Sequence, residues 1–106
     1  MGLNPRKVID VDRLIHEPAR LLIVTILSAV ESADFLYLQR ETGLTKGNLS
    51  SHLSKLEAAD YVEVNKTYRG KIPLTVCRLS ESGQKAFSHY RDQLIYIVDN
   101  TQDVSK

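Results

Sequence analysis

The chain has 106 residues, 42% of them hydrophobic and 25% charged, with a net charge of +1 and a single cysteine, Cys77. That is the composition of one small globular domain, and the lone cysteine excludes an internal disulfide framework and suits a reducing compartment. The longest apolar run, from Leu21 to Leu27, is broken by Thr25 and falls far short of the roughly 20 residues a membrane span needs; with no signal core after Arg6 and Lys7, the expected location is the cytoplasm.

Apart from Leu3, Val8, Ile9 and Val11, residues 1–11 read as polar and are expected to be loose, with Asp10 or Asp12 capping a short turn through Ile15. Pro18 suits the first turn of a helix, where a missing N–H costs nothing. Ala19, Leu22, Ile23, Ile26, Leu27 and Val30 recur at three- and four-residue spacing, which predicts an amphipathic helix over residues 18–30. Glu31 to Asp34 form a connector. Asp34 can cap a helix over 35–42, in which Leu36 and Leu38 supply apolar contacts, and Gly43 supplies a left-handed terminus. Thr45 caps the next helix, expected to run to about Ala59, through the N–H of Asn48. Leu49, Leu53 and Leu56 give it a narrow buried stripe.

Tyr61 to Thr67 alternates as a half-buried strand, Gly70 marks a turn, and Ile72 to Leu79 returns as a second strand. Pro73 is acceptable if that strand lies at an edge. The alternation alone leaves open which face Val76 and Cys77 use. Ser80 caps a last helix from Glu81 to about Thr101, after which the chain is expected to fray. Phe87, Tyr90, Leu94 and Ile97 follow the 3-4-3 spacing of a helix-pair seam, which Ile95 and Val98 widen.

Charge and side-chain size single out the middle of the chain. Residues 45–78 carry six basic and three acidic residues, a local charge of +3 that leaves −2 for the rest, and nothing acidic occurs between Val64 and Ser80. Local charge sets the field that a phosphate backbone feels. The outward face of the helix after Thr45 carries Gly47, Asn48, Ser51, Ser54, Lys55 and Ala58, small and polar where a plain solvent face shows Glu–Lys pairs. Such a face lets the backbone approach a surface closely: a DNA major groove, or a flat protein partner. A hairpin with the basic tip Lys66-Thr67-Tyr68-Arg69-Gly70-Lys71 follows it. A groove-sized helix followed by a charged wing is the layout of a winged helix-turn-helix, which makes duplex DNA the leading ligand.

Residues 44–87, LTKGNLSSHLSKLEAADYVEVNKTYRGKIPLTVCRLSESGQKAF, resemble the winged-helix DNA-binding domains of MarR- and ArsR-type transcriptional regulators, above all the short stand-alone subgroup. The matches are Leu44-Thr45, Ser50-Ser51-His52-Leu53, Leu56-Glu57, Tyr61-Val62, Arg69-Gly70 and Arg78-Leu79-Ser80 with Gly83. The resemblance implies a mainly α fold with a small β-hairpin and a long C-terminal dimerisation helix: one domain over 1–106, with its core at about 13–80 and the dimerisation helix at about 81–101. It implies a homodimer placing one recognition helix in each of two successive major grooves. Asp60 departs from the family, which has glycine there, yet aspartate also adopts the left-handed conformation. The metal-sensing members carry paired cysteines or His/Asp sets; here Cys77 is alone and His16, His52 and His89 are scattered, so no metal or cofactor is expected.

The candidate DNA contacts are therefore Thr45, Lys46, Gly47, Asn48, Ser50, Ser51, His52 and Lys55 on the helix, and Lys66, Tyr68, Arg69 and Lys71 on the wing. Asn suits adenine, Ser several bases, and the wing cations suit phosphates or the minor groove. His52 can equally pack under the turn with a satisfied ring N–H. Cys77 reads as a buried small hydrophobe. Phe87, Tyr90, Leu94, Ile97 and Val98 form the candidate dimer face, with the first long helix and the N-terminal arm as its partners. No Gly-rich phosphate loop or nucleophile motif points to an enzyme. The expected function is sequence-specific DNA binding by a regulator, in the first instance a repressor. A second reading is a winged helix that scaffolds a protein complex. A third adds a small-molecule effector between the first long helix and the last, for which the sequence carries no pocket signature.

Overall fold

The computed structural model describes residues 2–101. They form α1 (Pro5–Ile9), α2 (Pro18–Ser28), β1 (Ala33–Asp34), α3 (Phe35–Thr42), α4 (Lys46–Ala58), β2 (Val62–Arg69), β3 (Ile72–Leu79) and α5 (Glu81–Asp99). This is a winged-helix fold, five helices around a three-stranded antiparallel sheet of order β1-β3-β2. The tail after Thr101 lies outside the described residues. No helix among the described residues is long and apolar enough to cross a membrane.

The helix boundaries follow from local capping. The Asp34 carboxylate accepts the Tyr37 N–H at 2.8 Å, and the Thr45 hydroxyl accepts the Asn48 N–H at 3.1 Å, so both halves of the helix-turn-helix start at the expected residues. Between them Gly43 takes φ 71° and ends α3. Ser80 caps α5 through the Gly83 N–H at 2.9 Å. The αL residue that ends the turn after α4 is Asp60, with φ 63°. Helix α2 stops at Ser28 rather than Val30, because Ala29 and Val30 donate back three residues, to Ile26 and Leu27, and tighten the last turn.

Two apolar clusters hold the elements. The larger joins Ile23, Val24 and Leu27 of α2, Leu38 of α3, Leu49, Leu53 and Leu56 of α4, and Ala33, Val62, Cys77 and Leu79 of the sheet. The inner face of α2 is thus centred on Val24, whereas Leu22 and Val30 of the predicted stripe stay 40% exposed. Leu36, expected to supply an apolar contact, is 70% exposed on the outer side of α3. The smaller cluster is Val11, Ile15 and Tyr90, flanked by Leu21, Phe87, Leu94 and Ile97.

Three expectations are corrected. The N-terminal stretch is not loose: Asn4 caps α1, with Pro5 in its first turn. The segment is strapped to α5 by Asn4 N–H on the Tyr96 hydroxyl (2.8 Å), by Gln93 donating to the Asp10 carbonyl (2.9 Å), and by Asp12 N–H on Gln93 (3.1 Å). Asp12 caps the turn through Ile15, as its position suggested. The connector before α3 contains a strand, since Ala33 and Asp34 pair with Cys77 and Val76. This makes β3 the central strand. Pro73 is tolerated because β1 covers only positions 76 and 77 of β3, so its missing N–H falls beyond that pairing.

Candidate nucleic-acid interface

Helix α4 presents its buried stripe of Leu49, Leu53 and Leu56 to the core, and everything else on it follows from a rotation of 100° per residue. Gly47, Ser51 and Ala58 point straight outward, with Ser54 and Lys55 beside them, and all five are exposed. Lys46, Ser50 and Glu57 stand on one flank. Asn48 and His52 stand on the other. At 13 residues α4 is about 20 Å long, enough to lie along a groove.

The wing borders the first flank. Its strands run in register from Val62 opposite Leu79 to Arg69 opposite Ile72, leaving the two-residue turn Gly70-Lys71. Gly70 takes φ 64°, the positive value at the first turn position that a type II′ hairpin needs. Strand β2 therefore continues two residues beyond the predicted end, and Lys66, Tyr68 and Arg69 ride on ordered strand rather than on a loop. Side chains alternate across the strand, so Lys66 and Tyr68 share the face of Val62 and Val64, while Arg69 takes the opposite face. The same alternation puts Cys77 inward, opposite Val64.

Between α4 and the wing lies an open groove of about 580 Å³, lined by Lys46, Ser50, Ser54 and Glu57 of α4, Lys66 of β2, and Thr75 of β3. Glu57 and the α3 cap Asp34 are the acids that line it. Lys46, Lys55, Lys66, Arg69 and Lys71 form no ion pair among the described residues. Arg78, the sixth cation of the basic segment, stands at the base of the wing and meets Glu63 at 3.6 Å. Within residues 45–78 the unpaired positive charge therefore lies on α4 and the outer half of the wing. Tyr68 and Ile72 add exposed apolar surface there, at 69% and 67%.

His52 occupies a different environment from its neighbours. It is half-buried against the N-terminus of α2, with Nδ1 3.2 Å from Nη1 of Arg20 and 3.9 Å from the Glu17 carboxylate. Glu17 caps α2 by accepting the Arg20 N–H at 2.8 Å, and that bond leads the causes that hold its carboxyl below the usual range. Arg20 and Glu17 were not among the sequence candidates. Their link to α4 spans 32 positions and has no signature in local periodicity.

The structure divides the candidate dimer face. Tyr90 is buried inside its own chain, its hydroxyl 2.8 Å from Nδ1 of His16, and its ring stacks on Phe87 at 6.4 Å. Leu94 and Ile97 pack on the same cluster. Val98 is 69% exposed, as is Ile95 beside it at 52%. Ile9 of α1 is 62% exposed.

Residues 19–98 match the family of winged helix DNA-binding domains. The chain is 30% identical over 91 residues to an uncharacterized protein of Methanocaldococcus jannaschii, covering 85% of this chain and 98% of that protein. It superposes on a transcriptional regulator homologue from Pyrococcus horikoshii with a TM-score of 0.82 and 26% identity, over 90% of this chain and 93% of the other. A MarR-family regulator of Porphyromonas gingivalis shares the fold, with a TM-score of 0.64 at 15% identity over 84% and 86% of the two chains. Helix-turn-helix, wing and long terminal helix together define a winged-helix protein. The chain belongs to the winged helix DNA-binding domain family.

Proposed function

We propose that the protein is a sequence-specific duplex-DNA-binding transcriptional regulator of the cytoplasm, a single-domain homodimer without enzymatic activity that represses by occupying promoter DNA. The observation that carries this reading is the small polar outer face of α4, bordered by five cations that form no ion pair among the described residues. A surface built to bind protein has no need to concentrate unpaired lysines. A phosphate backbone needs them. In this arrangement α4 enters the major groove. Lys46, Asn48, Ser50 and Ser51 meet base edges, Thr45 and Lys55 meet the flanking backbone, and Gly47 allows close approach. Lys66, Tyr68, Arg69 and Lys71 lie on the backbone or in the adjacent minor groove. His52 acts by packing α4 onto α2. Regulation by a small molecule would use the recess of about 390 Å³ among Leu27, Arg78, Phe87 and Arg91, at the meeting of α2, the wing base and α5.

The test is a fluorescence-anisotropy titration of duplex DNA across salt concentrations. Binding should be salt-sensitive and micromolar on random sequence. Arg69→Ala should weaken binding to every sequence and lower the salt slope by roughly one unit. Asn48→Ala should alter base preference, read by selection from a random library, more than affinity for random DNA. No binding at low salt would move the assignment to a protein-interaction module.

A further inference from the structure

The flank of α4 that faces away from the wing carries an arginine fixed from two sides. Arg20 lies in the first turn of α2, and its Nε donates to the Leu14 carbonyl at 2.6 Å. Its Nη1 lies 3.2 Å from Nδ1 of His52 on α4. His52 stands about 100° round the helix from the outward-pointing Ser51. On the other flank Lys46 of α4 and Lys66 of the wing line the groove. Helix α4 thus runs between cations on both sides. A major groove has the matching form: it is about 12 Å wide, and a phosphate backbone forms each wall.

We propose that Arg20 is a phosphate-backbone contact on the groove wall opposite the wing, held in position by His52 and the Leu14 carbonyl. The inference rests on the DNA-binding reading above and adds a second wall to it. A guanidinium has five N–H donors, and the two internal bonds leave three for a phosphate. Arginine is suited to this role because its planar fork can meet two phosphate oxygens at once. Fixing the side chain before DNA arrives removes much of the ordering cost of binding. The bond to His52 also sets the spacing between α2 and the recognition helix, so the contact reports the depth at which α4 sits. Glu17 is the opposing charge: its carboxylate caps α2 and lies 3.9 Å from His52. It weakens the local field without displacing the guanidinium from its partners, and this supplies an independent test.

The experiment titrates the full chain against a random 20-base-pair duplex at several NaCl concentrations. Arg20→Gln should bind about five- to tenfold more weakly near 0.1 M salt and lose about 0.9 from the salt slope, whatever the sequence. Arg20→Lys should keep the slope while losing affinity, because the charge stays and the fork is lost. Circular-dichroism melts establish that each variant is folded at the assay temperature. Weaker binding by Arg20→Gln with an unchanged slope would make Arg20 a packing residue and overturn the proposal. If that variant is unfolded, Glu17→Gln decides, since its amide oxygen can still cap α2. It should bind about two- to threefold more tightly at low salt, with the gain fading as salt rises and absent from the Glu31→Gln control. No gain would overturn the proposal. Absence of DNA binding by the unaltered protein would instead reject the reading on which it rests.

Discussion

Cys77 shows what one side chain gains by leaving water. It is fully buried on the inner face of β3, and burial, followed by the nearby Glu57 and Asp34 carboxylates, pushes its thiol up to about 11. The ordinary value is 9.0. The folded state therefore keeps a proton that the unfolded state has given up. Its contribution to stability is fully present below pH 9 and is lost as pH rises from 9 to 11, at up to about 1.4 kcal/mol per unit. Tyr61 behaves likewise at higher pH: burial and then its hydrogen bond to Asp12 raise its hydroxyl from 10.0 to about 12. Urea midpoints should thus fall from pH 8 to pH 10 in the parent protein. Cys77→Ala should start lower, because a small cavity opens, but fall less steeply between 9 and 10. Identical slopes would assign the loss to other groups. This burial follows from residue type, a lone apolar-sized thiol within a strand, and the αL conformation of Asp60 from the resemblance, which places glycine at that turn where aspartate can also take positive φ. The Arg20–His52 contact has no such signal, because neither residue type demands the other.

At the scale of elements, the junction of the wing and α5 is the least forgiving point. The Tyr61 carbonyl accepts the Ser80 N–H at 2.9 Å, and the Ser80 hydroxyl donates to the Asp60 carbonyl while capping α5. Gly83 sits in that first turn, where an added Cβ would collide with the Tyr61 carbonyl oxygen and come within 2.9 Å of Leu79 Cδ1. Backbone cannot swing aside as the end of a long side chain can. Gly83→Ala should therefore cost about 3 kcal/mol and lower the melting temperature by about 10 °C or more. An unchanged melt would mean that α5 shifts freely against the sheet. The elements legible in the sequence are those whose signals are local. Asp34, Thr45 and Ser80 cap helices that begin at the expected residues, and β3 has its predicted limits, 72–79. Helix α1 had its signal in Asn4-Pro5, a cap followed by a first-turn proline, but the absence of an apolar stripe obscured it. Strand β1 left none. Two residues pair through their backbones with positions more than 40 further along the chain, and no periodicity of their own marks them.

At the scale of the molecule, the question is what remains for a second copy once each chain has folded. Phe87, Tyr90, Leu94 and Ile97 of the α5 seam pack within their own domain, so a partner in the proposed homodimer would meet the residues that widen it. Val11 and Ile15 close over Tyr90, which accounts for the inner part. Beyond it Ile95 and Val98 stay exposed on α5, and Ile9 on α1, with α1 held to α5 by the Asn4, Asp10 and Asp12 hydrogen bonds. A two-fold axis passing near Ile95 and Val98 would bury these side chains of both copies against each other, the self-complementary arrangement of a C2 interface. It would also leave both copies of α4 free for two half-sites. Val98→Asp combined with Ile95→Asp should then give a monomer by sedimentation velocity without lowering far-UV helicity. Each chain would meet phosphates on its own, so the salt slope on a duplex carrying two half-sites should fall to about half, and affinity should match that for a single half-site. A variant that stays dimeric would place the axis elsewhere. A monomer with undiminished slope would show that the two recognition helices never act on one duplex together, and repression through a paired operator would lose its structural basis.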